Sequence, residues 1–299
     1  MKAKIEDYAG KVTVADGAWG TQLQKLGCPT GSCLEELNVS NPDLVEQVAR
    51  SYVEAGAQII LTNTFQGNRI ILAKHGSEGK VSQFNRAGAE ISKRAAGDRA
   101  RVFGTMGPSG KMVMSGEATE EELFEVFTEQ AEAIAEGGAD GLVAETMSEL
   151  VEARAAVRAG KTTGLLVVGC MTYDSGSDQT LTMMGVTPEQ AAEELTAAGA
   201  DMIGCNCGIG IDNYIKVAGK LRAVSDRPIW VKANAGMPEV VGDEIVYHMT
   251  PAEFADKVQE LIAAGANVVG GCCGTSPEFI RAICDSLNAE EQKDNKSKH

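Results

Sequence analysis

The chain has 299 residues, 43% of them hydrophobic, and a formal net charge of −15 at pH 7. That length suits one α/β barrel of about 250 residues or two smaller domains. The acidic balance argues against nucleic acid and anionic membrane as partners, because both would repel it.

At the N-terminus, MKAKIEDYAGKV has no apolar run behind its positive charges, so no signal peptide is expected. No run of about 18 apolar residues offers a membrane span. The expected location is cytoplasmic. Short apolar runs then recur along the chain. The first four predicted strands are Val12–Ala15, Gln58–Thr62, Arg101–Thr105 and Gly141–Ala144. The next four are Leu165–Met171, Met202–Cys205, Pro228–Lys232 and Asn267–Gly270. Several are rich in Val and Ile, as strands buried on both faces should be.

Helical patterns separate them. Asn41 reads as an N-cap with Pro42 at the first helical position. Thr119 opens a capping box with Glu122. Thr187-Pro188, Thr250-Pro251 and Ser276-Pro277 open three more helices. The phrases EAGAQII, EGGADGL, AAGADMI and AAGANVV repeat one junction, a helix stopping at Gly with a strand close behind. Eight strands alternating with helices predict a single (β/α)8 TIM barrel over residues 1–287. An open doubly wound sheet is the runner-up, weakened because no dinucleotide fingerprint follows the first strand. The charged stretch 288–299 is expected to be a disordered tail.

Active sites of such barrels gather where strands end. The predicted strand ends are polar: Asp16, Thr62-Asn63-Thr64-Phe65, Glu145-Thr146, Asn206-Cys207, Asn234 and Cys272-Cys273. Strands six and eight flank strand seven, which can bring Cys207 close to Cys272 and Cys273. Eight cysteines in a reducing compartment stay thiols, and only three histidines are present, His75, His248 and His299. A metal site must therefore lean on sulfur or carboxylate. Three thiolates suit zinc and leave one position open, as in catalytic rather than structural sites. Cys28, Cys33, Cys170 and Cys284 read as small buried hydrophobes. Cys205 is read the same way; were it a fourth ligand, the site would be closed and structural. A redox dithiol is disfavoured, because adjacent cysteines bridge only with strain. Asp16 and Glu145 are open between turn or cap roles and binding a substrate ammonium. The Asn234 amide oxygen is a candidate displaceable fourth ligand.

The chain resembles the homocysteine S-methyltransferase family in DGAWGTQLQKLG, LEELNVSNPDLVEQVARSYVEAGAQIILTNTFQGN, ETMSEL, GCNCG, NAG and GGCCGTSPEFI. These run in order from Asp16 to about Ile280. The resemblance implies a zinc-bearing barrel that binds homocysteine as a thiolate and methylates it to methionine. It places Cys207, Cys272 and Cys273 on the metal, puts Asp16 and Glu145 at the amino-acid end, and gives backbone amides the carboxylate. The TNTF wording looks closest to the methionine synthase module, which implies methylcobalamin as donor, supplied by a separate corrinoid protein or by modules outside this chain. S-methylmethionine or betaine as donor is the alternative within the family; few aromatics disfavour betaine. A non-catalytic zinc- or thiol-binding module of a larger assembly is the alternative outside it. A homo-oligomer is compatible with all of these. Trp19 and Ala233 depart from the family pattern, which commonly has a smaller or flexible residue and a proline there.

Overall fold

The computed structural model describes residues 3–242 and 244–297. Its strands in chain order are β1 Thr13–Val14, β2 Ile59–Leu61, β3 Arg101–Met106, β4 Gly141–Met147 and β5 Leu166–Met171. They continue with β6 Met202–Cys207, β7 Ile229–Ala233, β8 Glu239–Val241, β9 Glu244–Val246 and β10 Val268–Gly271. All of these except β8 and β9 form one parallel sheet ordered β1-β10-β7-β6-β5-β4-β3-β2. A parallel bridge from Ala15 to Ile59 joins its two ends. The sheet therefore closes into a (β/α)8 barrel, which excludes the open doubly wound alternative. The antiparallel hairpin of β8 and β9 is an excursion between β7 and the next helix.

Alternation along the strands divides the core. One apolar cluster draws Ile59, Leu61, Phe103, Val143, Val168, Met202, Trp230 and Val268 from seven barrel strands, with Ala15 just after β1, and fills the interior. Tyr8 packs edge-on against Phe103 from the N-terminal segment. The larger cluster lies between the barrel and its helices.

The local signals explain most boundaries. Thr119, Thr187 and Thr250 each cap a helix in a reciprocal box with Glu122, Gln190 and Glu253. Gly56, Gly138, Gly199 and Gly265 take positive φ at the four repeated helix-to-strand junctions. Asn41 does not cap through its side chain. Its backbone N–H closes the preceding turn onto Leu37 instead. The last helix runs Pro277–Ser297, so residues 288–297 continue a helix where the sequence reading expects a disordered tail. No proline or glycine follows Pro277 to stop it, and Ala, Glu, Gln and Lys favour its propagation. Residues 298–299 lie outside the described residues. Among the described residues, no helix is long and apolar enough to cross a membrane.

Candidate metal centre

Three strand ends converge through backbone hydrogen bonds. Cys272 N–H donates to the Ala233 carbonyl at 2.7 Å, Ala235 N–H to Cys273 at 3.0 Å, and Asn234 N–H to Cys207 at 3.3 Å. The ends of β6, β7 and β10 are thus laced together. Cys207 adopts φ 65°, an uncommon left-handed conformation for a residue with a side chain. The turn after Cys273 is made by Gly274, also left-handed, and the ring of Tyr247 stacks where a Gly274 side chain would project.

The thiols of Cys207, Cys272 and Cys273 lie within 4.8 Å of one another, and they are the one such group among the described residues. Hydrogen bonds from Cys272 and then Cys273 hold the Cys207 thiol far below its ordinary range. The same sharing, with Cys207 the main partner, pushes Cys272 and Cys273 up. Three sulfurs this close cannot all ionise unless a cation sits among them. Asn234 adds a second observation. Its Nδ2 donates to the Gly208 carbonyl at 2.6 Å and lies 3.6 Å from Cys207 Sγ. Its Oδ1 is buried with no hydrogen-bond partner, which costs free energy unless something electrophilic meets it. Three sulfurs suit a zinc ion and leave one position open, and the Asn234 amide lies beside Cys207. Cys205 is elsewhere, fully buried in the apolar layer outside the barrel, where burial pushes its thiol up. Cys170 lies in the barrel interior, and Cys33 is buried beside Glu35.

A cavity of about 330 Å³ opens over the cysteines, lined among others by Trp19, Phe65, Thr105, Glu145, Thr146 and Lys232. Glu145 lies where the pairing of β4 with β5 shifts register, between Ala144 and Met147. Such an irregularity re-aims a side chain. Thr105 Oγ1 donates to Glu145 Oε1. Burial pushes the Glu145 carboxyl up to about 7, and the charge of Lys232 opposes that rise. Asp16 is fully buried and does not line the cavity. Its Oδ2 accepts from Leu61 N–H and from Trp19 Nε1, both at 2.7 Å. Its Oδ1 accepts from Lys232 Nζ in a buried ion pair. Burial works against the Lys232 charge, but Asp16 and then Glu145 more than offset it, so its pKa is raised.

Two groups at the site escape a reading of the sequence alone. Lys232 stands in an apolar strand, IWVKA, and a lysine buried there demands a charged partner; that demand is the available signal. Asn206, visible in the sequence only as a strand-end residue, ties the site together. Its Oδ1 accepts from Thr146 N–H, its Nδ2 donates to Thr146 Oγ1, and the same nitrogen lies 3.9 Å from Cys272 Sγ.

Comparison with known proteins gives the family and the fold. A family model described as homocysteine S-methyltransferase matches residues 13–287. Methionine synthase of Mycobacterium tuberculosis is 32% identical over 304 residues, covering 95% of this chain and 25% of that protein. Methionine synthase of Mycobacterium leprae is 31% identical over 299 residues, with the same coverages. The chain thus spans about a quarter of the length of these curated relatives. The metallated form of the homocysteine methyltransferase MmuM from Escherichia coli shares the fold, with a TM-score of 0.77 at 23% identity, over 91% of this chain and 95% of that one.

Proposed function

The chain belongs to the homocysteine S-methyltransferase family, and from that premise we propose that it binds zinc and transfers a methyl group to the thiol of homocysteine, forming methionine. The observation that carries this reading is the meeting of three thiols at the wall of a cavity, with the Asn234 amide beside Cys207. Cys207, Cys272 and Cys273 would hold the metal, with Asn234 in the fourth position until substrate arrives. When bound, zinc supplies Lewis acidity that lowers the pKa of the substrate thiol.

The protein's own groups then do the positioning. Glu145 faces the cavity and would receive the substrate ammonium; Asp16 stands behind it, neutralised by Lys232. Asn206 holds Thr146 and the rim of β4 against Cys272. Trp19 and Phe65 supply apolar walls. With its amino-acid end fixed, the homocysteine sulfur attacks the methyl carbon in line, and the donor leaves with the bonding electron pair. Orientation of this kind supplies much of the rate.

The donor we favour is a methylcorrinoid brought by a partner protein or by modules outside this chain. Support comes from the curated methionine synthases, three quarters of whose length lies outside the matched region. The second reading is a small sulfonium donor such as S-methylmethionine, because this one barrel matches 95% of the Escherichia coli homocysteine methyltransferase chain. Betaine is disfavoured, since among the described residues Trp19 and Phe65 are the two aromatics lining the cavity and a quaternary ammonium cage generally needs more. The non-catalytic alternative requires a closed four-sulfur site, which the burial of Cys205 away from the cluster opposes.

Parallel assays of the zinc-loaded protein with methylcobalamin, S-methylmethionine, betaine and S-adenosylmethionine test the donor. Methionine formed from none of them would sink the enzymatic reading. Zinc X-ray absorption tests the site. The shell is expected to change from three sulfurs and one oxygen to four sulfurs when homocysteine is added, and an unchanged shell would remove Asn234 from its role.

A further inference from the structure

Lys232 is the one basic side chain lining the cavity among the described residues, and Glu35 and Glu145 are its acids. Its side chain is 2% exposed, and its ammonium is paired with Asp16, which is 0% exposed. Asp16 is thereby saturated: one oxygen is taken by Lys232 and the other by the Leu61 N–H and the Trp19 indole. A substrate ammonium reaching Asp16 would have to displace a cation of its own sign from a fully buried position. Glu145 is engaged differently. The neutral Thr105 hydroxyl is its hydrogen-bond donor, and it lies on the cavity wall within reach of a cation in the cavity.

We infer that Lys232 is a specificity-determining residue: it fills the cation position at Asp16, so that the amino group of the thiol substrate is recognised by Glu145 alone. The inference rests on the proposed binding of an amino-acid thiol. In this chain a resident side chain does at Asp16 what a substrate ammonium would otherwise do. Lys232 is held there by a strand whose neighbours Val231 and Ala233 are both fully buried, so it has little freedom to withdraw. The pocket then carries one acid for one amine, and the Asp16–Lys232 pair becomes part of its wall.

The test compares two thiols that differ by the amine, homocysteine and 4-mercaptobutyrate, by titration calorimetry on zinc-loaded protein. The native chain should prefer homocysteine. Glu145→Gln should lower that preference at least about tenfold, the loss expected for one charge-assisted hydrogen bond. The paired change Asp16→Asn with Lys232→Met removes both charges together and leaves no buried ion unpaired. It should keep the preference within about threefold, a shift below the worth of one such bond. If the paired variant loses the preference as fully as Glu145→Gln does, Asp16 is a direct ligand and the inference is wrong. A crystal structure of the native zinc protein with homocysteine decides the matter should the paired variant not fold. The amine should sit within about 3.2 Å of a Glu145 oxygen, and an amine bonded to Asp16 overturns the assignment. Failure of native protein to bind homocysteine at all would instead defeat the functional reading, and this inference with it.

Discussion

Cys272→Ser is expected to strip the protein of zinc and to lower homocysteine methylation by at least about 100-fold, since loss of even an outer partner of a metal ligand typically costs 10–100-fold. The reason is chemical rather than structural. A serine hydroxyl remains protonated near neutral pH, whereas a thiol gives up its proton to a metal. With two sulfurs left, Asn234 and the cavity floor cannot complete a tetrahedron. The fold should survive, because Cys272 is anchored by its backbone: its N–H donates to Ala233, and its carbonyl accepts from the Thr275 N–H at 3.1 Å and hydroxyl at 2.7 Å. Metal content by mass spectrometry and methylation rate should therefore fall together while the circular dichroism spectrum is unchanged. A zinc-free variant that methylates at the native rate would show that the cysteine cluster is not the seat of the reaction.

The barrel is legible in the sequence because its signals are local. Each strand is a short apolar run, each of the four repeated junctions ends at a left-handed glycine, and the threonine caps are reciprocated by Glu or Gln three residues on. Barrel order then makes the cysteine cluster legible too, since strand ends six and eight must flank strand seven. What is not legible depends on contacts between distant residues. The pairing of Lys232 with Asp16 joins positions 216 apart, and sequence places both at strand ends without saying that they meet. The hairpin of β8 and β9 also escapes the sequence pattern, because its apolar residues come as the adjacent pairs Val240-Val241 and Ile245-Val246, with no period-two alternation to mark a strand. Its strands are three residues each, too short to stand out beside the barrel's own. Residues 288–297 continue the last helix, with no proline or glycine among them to stop it.

Gly204→Ala is expected to destabilise the protein by about 4 kcal/mol or more, among the largest effects a single methyl group can have. Gly204 lies in β6 opposite Trp230 of β7. A Cβ there would overlap the Trp230 carbonyl oxygen and lie 2.7 Å from its carbonyl carbon. Backbone atoms cannot rotate away as a side chain can, so the two strands would have to separate. Trp230 is fully buried in the barrel interior, 5.7 Å from Phe103 by ring centroids. The damage would reach the candidate metal centre as well, since Asn206 and Cys207 follow on β6, while Lys232 lies on β7 and Asn234 comes just after it. The same substitution at Gly219 is the control. That glycine is in the helix Ile211–Val224, where an added methyl would meet nothing within 4 Å, and alanine there should stabilise by about 0.5–1 kcal/mol. Thermal denaturation of the two variants should therefore move in opposite directions. A Gly204→Ala protein that melts with the native chain would show that β6 and β7 do not pack as closely as the barrel requires.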